Sequence, residues 1–120
     1  MREILGQVAG KWPLGTMHVL AAHGAPLRFA RLRERVEGIS QKMLTQTLRQ
    51  LERDGLVTRT VYAEVPPRVE YALTADGQEI LVRFKPFWLW VASRLASFEE
   101  ARARFDGVPS PALPSTDLDE

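Results

Sequence analysis

The chain has 120 residues, 45% hydrophobic and 26% charged, an ordinary globular composition for one domain. It holds no cysteine, which excludes disulfides, thiolate metal sites and thiol redox sensing within it. No apolar run reaches the roughly 20 residues that span a bilayer, and Met1 to Gly6 lacks the apolar core of a signal peptide, so a cytoplasmic protein with no membrane partner is expected.

The net charge of +1 conceals an uneven distribution. From Arg28 to Arg68 there are nine basic residues against five acidic ones, and from Glu99 to Glu120 two basic against six acidic. A basic middle suits a polyanionic partner, although basic surface residues are also common without one.

Glu3 to Ala9 can form a short first helix, ended by Gly10. Pro13 suits the first turn of a second helix, where its missing N–H costs nothing. That helix carries Leu14, Met17, Val19, Leu20 and Ala21 inward and stops near Gly24. Pro26 and Leu27 read as a link. Phe29, Leu32 and Val36 recur at helical spacing, with Arg31, Arg33 and Arg35 between them, and Gly38 breaks the helix. Ser40 is a good N-cap for the next helix. There Leu44, Leu48 and Leu51 make an apolar stripe, while Gln41, Lys42, Thr45, Gln46 and Arg49 lie opposite. Asp54-Gly55 terminates it.

The period then changes to two. Leu56 to Tyr62 is rich in strand-forming residues, Pro66-Pro67 breaks the run, and Arg68 to Leu73 alternates again. These segments predict a hairpin with its tip near Glu64 to Arg68. Thr74 is the expected cap of a last long helix, and Pro86 is expected to bend or split it. Its apolar residues, among them Phe84, Phe87, Trp88, Trp90, Val91, Leu95 and Phe98, exceed what one face of a helix needs. Residues 1–107 are expected to form the folded domain with terminal dimerisation helices, and 108–120, rich in Pro, Ser and Asp, a disordered tail.

Three helices, a polar-faced helix, a hairpin and a final helix follow the order of a winged helix-turn-helix, a mostly α fold with a small β-hairpin. A helix that reads DNA needs one face packed on its domain and another able to bond bases and phosphates. Gln can bond adenine, Arg or Lys can bond guanine, and Thr45 can offer a hydroxyl or set its methyl on thymine. Arg59 and Arg68 lie on the hairpin, where a basic wing can reach a phosphate or the minor groove. A solvated helix face has the same composition; the order of elements favours the DNA reading.

Several stretches together resemble the HxlR-type winged helix regulators, relatives of the MarR group. They are Gly10-Lys11-Trp12, Arg28-Phe29 with Leu32, Gly38-Ile39-Ser40, Leu44-Thr45-Gln46 with Leu48, Leu51 to Val57, and Val65 to Tyr71 followed by Leu73-Thr74. The resemblance covers Gly10 to Leu81. It implies a homodimeric DNA-binding repressor or activator, joined mainly by terminal helices, with Ser40 to Arg49 in the major groove and Val65 to Arg68 as the wing. Family members often carry a sensing cysteine near the first helix; this chain has none, so thiol sensing does not transfer.

The expected DNA-contacting residues are therefore Ser40, Gln41, Lys42, Thr45, Gln46 and Arg49, with Arg28, Arg31, Arg59 and Arg68 on phosphate or at the wing. Ile4, Leu5, Phe84, Phe87, Trp88, Val91 and Leu95 are the expected dimer contacts, because aromatic residues are enriched at interfaces. A small-molecule effector could lie near Met17, His18 and Trp88. His18 and His23, five positions apart, do not share a helical face, so no metal or cofactor is expected. No nucleophile with a base and an orienting group stands at a suggestive spacing, so catalysis is not expected. The competing expectation is a winged helix used only to bind other proteins.

Overall fold

The computed structural model describes residues 5, 6, 8 and 10–107. Leu5, Gly6 and Val8 are helical. The rest of the expected first helix, including Ile4, and the expected disordered tail 108–120 lie outside the described residues. The elements that follow are α1 (Lys11–His23), β1 (Leu27–Arg28), α2 (Phe29–Arg35), α3 (Gln41–Arg53), β2 (Val57–Tyr62), β3 (Arg68–Leu73), α4 (Ala75–Ser93) and α5 (Leu95–Gly107). The chain divides into two compact units, Met1–Phe84 and Lys85–Glu120.

In the first unit the core is built where α1, α2 and α3 bring their apolar stripes together. Met17, Leu32, Leu44 and Leu48 are fully buried there, joined by Leu20, Leu51, Leu56 and Val57. Burying each such side chain contributes about 1.5–3 kcal/mol. Two polar residues share the interior, Thr16 and Thr47. Both stand at helical spacing from the apolar stripe, Thr16 four before Leu20 and Thr47 three after Leu44, so the periodicity that marked their neighbours marked them too.

The sheet has three strands in the order β1-β3-β2, all antiparallel. The predicted hairpin is present, with Val57 opposite Leu73 and Tyr62 opposite Arg68. The added strand β1 places Leu27 opposite Tyr71 and Arg28 opposite Glu70. Its two residues are too few to show a period of two; only pairing with β3 defines them.

α3 ends in a Schellman arrangement. Leu56 N donates to Leu51 O at 2.9 Å and Gly55 N to Glu52 O at 3.0 Å. Gly55 sits at φ 76°, a conformation glycine adopts without a Cβ clash. At the start of α4 a Cβ on Gly77 would collide with the Leu56 carbonyl oxygen and the Leu73 side chain, so only glycine lets the helix approach this closely.

The last helical segment does divide, but at Arg94 rather than at Pro86. α4 runs unbroken through Pro86 to Ser93, and α5 begins at Leu95. A proline removes one N–H, here the donor to the Val82 carbonyl. Val82 is exposed, so water can serve that carbonyl and the helix continues.

Candidate nucleic-acid interface

α3 is fixed at its beginning by Ser40, whose Oγ accepts a hydrogen bond from Met43 N at 3.0 Å. The predicted cap is thus in place, and this hydroxyl keeps its own proton free to donate. Four buried side chains, Leu44, Thr47, Leu48 and Leu51, hold the inner face of the helix. The outer face carries Gln41, Lys42, Thr45, Gln46 and Arg49, every one exposed. These five and Gln50 line one open concavity. Gln50 was not anticipated; it lies at the edge of the face, partly buried. Arg53, one turn beyond Arg49, is exposed on the same face.

Thr45 is more constrained than its sequence suggests. Its hydroxyl donates to the Gln41 carbonyl at 2.9 Å. The proton is therefore engaged within the helix, and what remains for a partner is an acceptor lone pair and the methyl group.

A second concavity adjoins the first, lined by Phe29, Ala30, Arg33 and Glu34 of α2 and by Gln41, which belongs to both. Arg33 is exposed and makes no ion pair among the described residues. Arg31 instead faces Glu34 at 3.5 Å, one turn along the same helix, with both side chains well exposed. Such a pair is weak and easily exchanged. Arg31 and not Arg33 stands among the expected contacts, because alternating arginines on a short helix give no sign of which one faces the neighbouring helix.

Directly paired residues in an antiparallel sheet share a face. Arg59 is opposite Tyr71, and Arg68 is opposite Tyr62, three register positions further along, an odd number. Arg59 and Arg68 therefore occupy opposite faces of the wing. Arg59 is exposed and unpaired among the described residues. Arg68 is enclosed: one guanidinium nitrogen lies 2.9 Å from Glu64 and the other 3.2 Å from Glu70. Its plane lies 3.9 Å from the centre of the Tyr62 ring. Arg28, the N-cap residue of α2, is exposed at the end of β1.

Among the expected dimer contacts, Leu5, Phe87, Trp88 and Leu95 are exposed. Val91 is half-buried. Phe84 packs against the core of the first unit, so it has a structural place within one chain. In the second unit the Trp90 and Phe98 rings meet at a tilt of 60° with centroids 6.1 Å apart, and the Arg94 guanidinium lies 5.7 Å from the Trp90 ring. Met17, expected beside an effector, has no accessible surface, whereas His18 is exposed. No helix among the described residues is long and apolar enough to cross a membrane.

A helix, a glycine turn, a second helix with a free polar face and a paired wing define a winged helix-turn-helix domain. The sequence profile of the HxlR-like helix-turn-helix family matches residues 7–98, and the chain belongs to that family. An HTH-type transcriptional regulator of Methanothermobacter thermautotrophicus is 43% identical over 77 residues, covering 64% of this chain and 57% of that protein. One of Synechocystis is 55% identical over 80 residues, covering 67% and 58%. This chain thus spans a little over half the length of both relatives. The solved structure of the transcriptional regulator YtfH from Salmonella typhimurium superposes with a TM-score of 0.71 at 35% identity, covering 84% of this chain and 88% of that one.

Proposed function

We propose that this protein is a sequence-specific double-stranded DNA-binding regulator of transcription that acts as a homodimer in the cytoplasm. The observation that carries this is the division of α3: its leucines are in the core, and Gln41, Lys42, Thr45, Gln46 and Arg49 stand together, exposed, on the other side. In a major groove Gln41 and Gln46 can pair with adenine and Arg49 with guanine edges. Thr45 can place its methyl on thymine. Lys42, the Ser40 hydroxyl, Arg28, Arg31 and Arg59 are suited to phosphates, and Arg33 joins them through the concavity it shares with Gln41.

The homodimer is supported by the second unit, where Phe87, Trp88, Leu89, Trp90, Leu95 and Phe98 are exposed. So much exposed apolar surface marks a protein contact. A second copy is the occupant that also serves the DNA reading, since a two-fold pair would present two copies of α3 about 34 Å apart, one turn of duplex. A small-molecule effector on exposed apolar surface near Trp88 would act on the same pairing.

The test is selection of bound duplexes from a random pool, followed by anisotropy titration of the recovered duplex at several salt concentrations. A pseudo-palindromic motif and a steep loss of affinity with salt are expected. Recovery of no motif, with equal weak binding to every duplex, would overturn sequence-specific binding. No binding to any duplex would leave the domain as a protein-interaction module.

A further inference from the structure

The wing's arginine is already occupied. Arg68 begins β3, opposite Tyr62, the last residue of β2. Its guanidinium lies over the Tyr62 ring, its NH1 group holds Glu70 two residues ahead on the same face, and its NH2 group holds Glu64 in the connecting loop. Arg68 and Glu70 are half-buried and Glu64 more open, with side-chain exposures of 28%, 18% and 49%. The cluster carries one positive and two negative charges, so an approaching phosphate meets a net charge of −1 and must displace a carboxylate to reach the guanidinium. Meanwhile the loop is anchored at both ends: Glu64 belongs to its outgoing limb and Arg68 to its return. At its tip Val65 is completely exposed.

We infer that Arg68 is a positioning residue that latches the wing, and not a contact to DNA. This rests on the DNA-binding reading above and deepens it: the wing is presented in one shape before the duplex arrives, and Arg59, exposed and unpaired among the described residues, is its cation on the opposite face. Arginine is needed because a planar fork can hold two carboxylates while lying flat on a ring; lysine carries the charge as a single ammonium and cannot do both at once.

The experiment compares wild type with Arg68→Gln and Arg68→Lys in two measurements. The first is amide hydrogen exchange of the free protein, which needs no DNA. Both variants should exchange faster at Thr60 and Glu70, the facing pair next to the latch, while amides near Leu48 keep their protection. The second is affinity for a labelled duplex selected by the wild type, measured across salt concentrations. Both variants should bind about three- to tenfold more weakly, as expected for a binding element that has lost its preorganisation. The slope of log affinity against log salt should be unchanged. A phosphate contact predicts otherwise: Arg68→Gln would reduce the slope by about 0.9, and Arg68→Lys would bind like wild type. That pattern, or unaltered exchange in the wing, overturns the latch. If the wild type binds no duplex, the DNA reading falls, and the exchange rates alone decide whether Arg68 holds the wing.

Discussion

The Thr74 hydroxyl donates a 2.8 Å hydrogen bond to the carbonyl oxygen of Gly55, nineteen residues earlier. The Thr74 hydroxyl oxygen in turn accepts from Gly77 N at 3.1 Å, and Thr74 N donates to Leu56 O at 3.0 Å. One residue therefore caps the start of α4 and ties it to the turn that ends α3. The polar face of α3 owes its orientation partly to this knot, made by a residue far from that face in sequence.

Replacing Thr74 by Val keeps the shape and removes both side-chain bonds. We expect a loss of about 1–2 kcal/mol, the usual cost of a missing cap together with an unpaired carbonyl. Thermal denaturation should show a lower Tm. An unchanged Tm would mean that water replaces the hydroxyl at no cost.

Residues that hold α3 and residues that could read DNA should separate cleanly. Leu48 is 1% exposed, so Leu48→Ala should cost about 2–5 kcal/mol of stability. Gln46 is on the open face, so Gln46→Ala should change stability by less than about 0.5 kcal/mol while weakening binding to the selected duplex. Urea melts and anisotropy on the same two variants check this. Equal stability losses would show that Gln46 supports the fold and is not reserved for a partner.

Arg49→Ala should weaken binding to the preferred duplex by about 1–3 kcal/mol and binding to unrelated duplex much less. The measurement is a competition titration with both duplexes. A uniform loss would reassign Arg49 from a base edge to the phosphate backbone.

Trp88 is 64% exposed in one chain, so Trp88→Glu should leave the folding of that chain nearly intact. If Trp88 lies between two copies, a buried unpaired carboxylate would split them. Sedimentation velocity should then report a monomer, with weaker binding to a palindromic duplex because only one reading helix engages at a time. A dimer of undiminished strength would place the subunit contact elsewhere.

Much of this was legible in the chain itself. The leucine stripe at 44, 48 and 51, the Ser40 cap and the Gly55 stop define α3, because capping and helical periodicity are local properties. The hairpin followed from the change to a period of two, and the family resemblance followed from motifs in the same segments. What sequence could not supply were pairings between distant residues. β1 exists only because Leu27 and Arg28 pair with Tyr71 and Glu70. Pro86 is expected to bend or split the last helix, since the rule for proline is local, but the division falls at Arg94 and exposure of Val82 makes the proline tolerable.

Sequence alone thus determined the type of every long element and which residues of α3 face inward, since both depend on spacing along a single helix or strand. Only the tertiary structure decided which cations are free. Arg31, Arg33, Arg59 and Arg68 are alike on paper, yet Arg33 and Arg59 are open and Arg68 lies between two carboxylates and a ring. The reason is physical: the availability of a charge depends on what folding brings within a few ångströms of it, and strand register across a turn set that for Arg68.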